Sequence, residues 1–215
     1  MLKEIERIIE ETGGVRYGYF KADSPFFGLE CGIALVVPLS VPVVMGITDA
    51  PTKTYFHHYR TTNAFIDSLC ERLVVKMIGI GYNAAAVPAS QSVDEYSGVF
   101  PHKTAAVKAG LGYIGKSALF ISNDYGPRVR LGTVFTDMPL PAKQVKQEDK
   151  CKDCDICMKK CPALAISGKP YLEGMKREDI FDAKACSEYM KKQFQNIGRG
   201  AVCGICMRFC PKSGI

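Results

Sequence analysis

Apolar residues recur at helical spacing from the first residues of the chain. Leu2, Ile5, Ile8 and Ile9 share one face, and Gly13 and Gly14 follow as a stop, so the pattern predicts a short amphipathic helix over residues 2–12. From Cys31 to Val37 the apolar run is continuous and rich in β-branched residues, as expected of a strand buried on both faces. Between about Tyr55 and Ile78 the residues Phe65, Leu69, Leu73 and Met77 return every fourth position, and Gly79 and Gly81 end the pattern; this is a long helix. A short strand is expected over Asn83 to Val87. Pro101 then opens a helix at the position where its missing N–H costs nothing, running through Ala105, Ala106 and Val107 to Gly110. Ala118 to Ser122 and Leu131 to Phe135 read as two more strands around the turn Asn123-Asp124-Tyr125-Gly126-Pro127. The sum is a mixed α/β (α+β) domain over 1–147. A polar, lysine-rich linker from Pro139 to Lys150 leads into a small domain over 148–215.

The 215 residues are 47% hydrophobic and 23% charged, enough to bury a core and unlike a disordered or fibrous chain. No membrane span is expected, because the longest apolar run, Ile33 to Ile47, is short and broken by Pro38 and Pro42. Glu4, Glu6, Glu10 and Glu11 stand where a secretory leader would carry basic residues, so the expected location is the cytoplasm.

Cysteine changes the picture most. Eight of the ten cysteines lie between Cys151 and Cys210, and in a reducing compartment such clustering points to metal rather than disulfides. The first run is Cys151-x2-Cys154-x2-Cys157-x3-Cys161-Pro162. The second, Cys203-x2-Cys206-x3-Cys210-Pro211, is one cysteine short, and Cys186 upstream is the replacement. Three closely spaced cysteines can wrap three corners of a cuboidal cluster, while the fourth is carried off on a helical turn toward another cluster. Crosswise pairing then yields two sets: Cys151, Cys154, Cys157 and Cys210 for one [4Fe–4S] cluster, and Cys161, Cys186, Cys203 and Cys206 for the other. Zinc accepts the same x2 spacing, but a zinc ribbon has little use for two consecutive x2 spacings followed by x3 and Pro. Cys31 and Cys70 sit in apolar segments and read as small core residues.

Charge follows the cysteines. Residues 151–215 carry a net +5 of the chain's +6. Two oxidised four-iron clusters with eight thiolates would bring about −4 and offset most of it, so the basic tail is weak ground for nucleic-acid binding. His57 and His58 have no cysteine or carboxylate at ligand spacing and read as a helix surface pair. His102 and Lys103 read as a solvated first helical turn.

The block Ala109-Gly110-Leu111-Gly112-Tyr113-Ile114-Gly115-Lys116 is followed by Ala118-Leu119-Phe120-Ile121, Tyr125-Gly126, Leu131-Gly132 and Thr136-Asp137. With the crossed cysteine runs and Cys186-Ser187-Glu188-Tyr189, this order resembles the epoxyqueuosine reductase family. Its cobalamin-dependent enzymes share a fold with reductive dehalogenases. The resemblance is to a short form, ending at Ile215 without the family's C-terminal helical-repeat extension. It implies electrons entering through two clusters and reducing a corrinoid in the N-terminal domain. It also implies an external donor such as a ferredoxin or flavodoxin. Gly110, Gly112, Gly115 and Lys116 are the implied cofactor-binding residues, the glycines permitting close backbone approach to a large flat ligand. The family's proton-donating aspartate falls at or near Tyr96, which makes Tyr96 the candidate acid, with Asp94 and Glu95 as neighbours able to substitute. Without the extension, tRNA is not an expected partner. An electron carrier lacking any substrate or corrinoid of its own is the competing reading, and a cluster-stabilised RNA-binding remnant is the third.

Overall fold

The computed structural model describes residues 1–90, 93–94, 96–143 and 145–214. Its elements in chain order are α1 (Leu2–Glu10), β1 (Arg16–Phe26), β2 (Leu29–Pro38), α2 (Val41–Met45), α3 (Lys53–Gly79), β3 (Ala84–Val87), α4 (His102–Lys108), β4 (Gly112–Ile114), β5 (Phe120–Ser122), β6 (Val129–Thr136), α5 (Ile156–Lys160), α6 (Ala183–Gln193) and α7 (Ile205–Arg208), with short 3-10 turns at Arg177–Asp179, Gly198–Gly200 and Pro211–Ser213. The mixed α/β class is as expected. Among the described residues no helix is long and apolar enough to cross a membrane.

The chain forms two compact units that are not consecutive halves. The first takes Met1–Pro38, Thr62–Gly112 and Arg130–Lys146, and the second takes Leu39–Thr61, Tyr113–Val129 and Gln147–Ile215. The polar stretch near 147 is therefore only one of several crossings between them.

In the first unit, four strands lie in the order β1-β2-β6-β3. The outer pairs are antiparallel, with Tyr19 opposite Ile33 and Ala85 opposite Phe135. Strand β1 has no counterpart among the expected elements, because Pro25 and the polar residues before it hide the pattern. The pairing slips between Lys21 and Phe26, where proline cannot join a ladder. The hairpin closes through Phe27 and Gly28, both at positive φ (49° and 81°), the two-residue turn whose twist suits paired strands. On one side of the sheet, Ile5 and Ile9 of α1 pack with Ile66, Leu69, Cys70, Leu73 and Met77 of α3 and Ile33, Leu35 and Val134 of the strands. The buried stripe of α3 thus starts at Ile66, while Phe65 is 42% exposed. Phe20, Phe26, Phe100 and Phe135 form a separate set of stacked and edge-on rings. Cys70 is a core residue as expected, its thiol pushed up to about 12 by burial.

The second unit has less regular structure. Its apolar core gathers Leu39, Val44, Ile47 and Tyr55 from the first half of the chain with Phe194, Val202, Ile205 and Met207 from the last part. A smaller cluster forms around Cys161, Ala165 and Ile166.

Candidate metal centres

The first cysteine loop is shaped by local bonds. The backbone N–H of Cys151 donates to Asp149 Oδ1 (2.9 Å), that of Cys154 to the Cys151 carbonyl (2.9 Å), and Lys152 takes a left-handed φ of 46°. Helix α5 then carries Cys157, with Lys159 paired to Asp155 at 2.8 Å. The helix stops at Cys161, whose backbone turns extended, so this cysteine leaves the loop of the other three. Its sulfur accepts the Ala165 N–H at 3.4 Å. Cys186 rides on the first turn of α6, capped by Asp182 Oδ1 accepting from Ala185 N (2.8 Å). Cys203 precedes Gly204 (φ 84°) and α7, which bears Cys206.

Cys210 is held from outside the cysteine region. The 3-10 turn that follows it packs so closely on Gly126 that a Cβ there would collide with the Lys212 carbonyl. Buried Arg128 donates from Nε to the Ser213 carbonyl and from Nη1 to the Leu39 carbonyl (2.8 Å).

All ten cysteines are free thiols, and their mutual influence shows which lie together. Burial pushes Cys157 up to about 11, with further upward contributions from Cys151, Cys210 and Cys154. Cys210 is raised by burial and then by Cys151 and Cys154, against the Lys212 N–H. Burial likewise pushes Cys186 up to about 11, followed by Cys203 and Cys161. Cys206 is raised by burial, then by Cys203, Cys186 and Cys161, and least by Cys157. Two neighbourhoods emerge, each drawing on distant parts of the sequence. Among the described residues no three His, Cys, Asp or Glu side chains converge as closely as one metal ion requires. Backbone N–H groups aimed at the sulfurs of Cys151, Cys161, Cys203 and Cys210 add the hydrogen bonding that tunes such centres.

The expected cofactor-binding residues divide between the units. Gly110 (φ 75°) ends α4 with Val145 beside it, and Gly112 begins β4. Gly115 and Lys116 meet the first cysteine loop instead. A Cβ on Gly115 would stand 2.5 Å from Ile121 Cδ1 and 3.2 Å from Cys151 Sγ, and Lys116 Nζ donates to the Lys152 carbonyl.

Tyr96 is half-buried in a turn where Asp94 Oδ1 accepts the N–H of Tyr96 (2.9 Å) and of Ser97 (2.6 Å). Asp94 thus caps a turn, and Glu95 lies outside the described residues.

Two histidine expectations need correction. His58 is half-buried and its Nε2 accepts the Ser40 N–H at 2.9 Å, so only His57 of the pair is a surface residue. His102 is partly buried rather than a fully solvated residue. Its Nε2 meets the Pro88 carbonyl at 3.0 Å and its Nδ1 the Thr133 hydroxyl at 2.8 Å. Nearby, Arg130 Nε donates to Asn63 Oδ1 (2.8 Å) and Asp67 Oδ1 accepts the Ala89 N–H (2.7 Å). No local pattern announces this polar group, whose members come from four separate segments.

Residues 150–213 match the model of the 4Fe-4S double cluster binding domain. The chain is 29% identical over 152 residues to the epoxyqueuosine reductase of Pseudomonas aeruginosa, covering 67% of this chain and 37% of that protein. It is 30% identical over 131 residues to the tetrachloroethene reductive dehalogenase of Sulfurospirillum multivorans, covering 56% of this chain and 25% of the dehalogenase. Among solved structures, a reductive dehalogenase interpreted in terms of B12-dependent dehalogenation superposes with a TM-score of 0.77 at 18% identity, covering 96% of this chain and 31% of that one. That last likeness is one of fold. The chain is therefore related to both groups of reductases, carries a 4Fe-4S double cluster binding domain, and spans well under half the length of these curated relatives.

Proposed function

We propose that this chain is an iron–sulfur redox protein. Cys151, Cys154, Cys157 and Cys210 would hold one [4Fe–4S] cluster, and Cys161, Cys186, Cys203 and Cys206 the other. Such clusters supply one-electron transfer at potentials set by their charge, hydrogen bonding and exposure. The observation that carries the reading is that Cys157 feels Cys151, Cys154 and the remote Cys210, while Cys206 feels Cys203, the remote Cys186 and Cys161 before Cys157, in eight partly or fully buried thiols. The chain's own contribution is to desolvate the thiols, aim N–H groups at the sulfurs and hold Cys210 through Arg128. Anaerobically purified protein should contain about eight iron and eight sulfide per chain. Four of each, or zinc in their place, would refute the assignment.

The electron acceptor we propose is a corrinoid held by the N-terminal α/β part, on the strength of the relation to cobalamin-dependent reductases. Tyr96 is the candidate proton donor there, and Gly110 and Gly112 the candidate backbone contacts. Gly115 and Lys116, the other two candidates, are engaged with the cysteine loop. That engagement favours, as the second reading, an electron carrier with no corrinoid of its own. Titration of the cluster-loaded protein with cobalamin separates the two. A saturable change in the visible spectrum supports the first, and none at high micromolar cobalamin supports the second.

A further inference from the structure

Lys116 is 9% exposed, an unusual place for an ammonium. Its Nζ donates to the Lys152 carbonyl, within the loop that joins Cys151 to Cys154, and among the described residues it makes no ion pair. Asp155, an acid that feels its charge weakly, is already paired with Lys159 at 2.8 Å. One carbonyl is poor compensation for removing a full charge from water. The backbone just before the lysine is pressed onto the same loop, because the missing side chain of Gly115 leaves its Cα within reach of Cys151 Sγ. Segment 115–116 thus delivers a dehydrated positive charge to the first cysteine set. A four-iron centre with four thiolates is anionic and gains one more negative charge on reduction, and in a poorly hydrated site such an interaction is strong.

We propose that Lys116 is a positioning residue for that centre, its fixed charge compensating the cluster and favouring the reduced form. The inference rests on the assignment of Cys151 to a four-iron cluster proposed above. It gives Lys116 a role other than corrinoid binding, and it predicts that the two clusters differ in their response to one substitution.

The test uses the full chain, purified without oxygen, as wild type, Lys116→Gln and Lys116→Arg. Reductive titration with mediators, followed by electron paramagnetic resonance, reads both clusters, and the signal lost in Cys154→Ser identifies the first. Gln can still donate to the Lys152 carbonyl but carries no charge. The Gln variant should reduce its first cluster about tenfold less at a fixed potential, a fall of about 59 mV for a one-electron couple. The second cluster should not move, and Arg should restore the first. Selective loss of the first cluster in Gln, with retention in Arg, supports the same conclusion, because the charge is then needed to hold the anionic centre. An unchanged midpoint in Gln overturns the proposal, above all if cobalamin binding weakens instead. Equal loss of the cluster in Gln and Arg also overturns it. A wild-type chain without four-iron clusters is a different failure, that of the underlying assignment.

Discussion

The two compact units bury their interiors by different means. In the first, α1, α3 and two central strands bring Ile5, Ile9, Ile33, Leu35, Leu69, Leu73 and Met77 into one continuous apolar cluster, and the backbone is satisfied by a four-stranded sheet. In the second, short helices and 3-10 turns leave a modest apolar cluster and a smaller one that includes Cys157, Cys161, Cys186 and Cys206. Desolvation pushes those thiols toward the neutral form. Iron binding must displace their protons, so its free energy becomes folding free energy. The first unit is therefore expected to stand without metal, and the second to depend on it.

Removing iron tests that difference most severely. Anaerobic chelation should collapse amide-exchange protection across α5, α6 and α7 while protection in β2 and the buried part of α3 persists. Uniform loss across the chain would show that the metal supports both units. Cysteine replacement sharpens the comparison within the second unit. Cys210→Ser should abolish the cluster built on Cys151, Cys154 and Cys157, and Cys186→Ser the other, each with half the iron lost. A resonance signal of the first cluster surviving Cys210→Ser would mean that the cysteines pair locally. Leu73→Ala should cost the first unit about 2–5 kcal/mol in denaturant unfolding by leaving a cavity, with iron content unchanged. Arg128→Met should cost the second about 1–3 kcal/mol for each carbonyl left unpaired, and should broaden the signal of the Cys210 cluster before that of its neighbour.

The smallest effect belongs to pH. Burial is the main cause holding His102 below its ordinary value near 6.5, with Arg130 acting the same way and the Pro88 carbonyl and Asp67 opposing. Its folded-state value is thus lower than the unfolded one, so the ring's contribution to stability is complete above about 6.5. That contribution is lost as pH falls from there toward the depressed folded value. His102→Gln should flatten this acid slope in the first unit's unfolding, and an unchanged slope would place the titration elsewhere.

Periodicity and spacing alone determined the long helix α3, the shorter α1 and α4, and the mixed α/β class, because a repeated apolar face or a glycine stop is a property of neighbouring residues. They also determined the 4Fe-4S double cluster character of the last third, since C-x2-C-x2-C-x3-C-P is a local constraint on a loop. Strand β1 escaped because its proline falls in the interrupted part of the ladder, where tertiary pairing tolerates what local preference forbids. The interleaving of the units and the clamp of Arg128 on the turn after Cys210 were likewise not legible. The same holds for the burial of His102 and the direction of Lys116. Each depends on which distant segment supplies the other half of a contact. Spacing specifies which side chains share a loop, but what that loop is buried against, and hence its charge and hydration, is set only when the chain closes on itself.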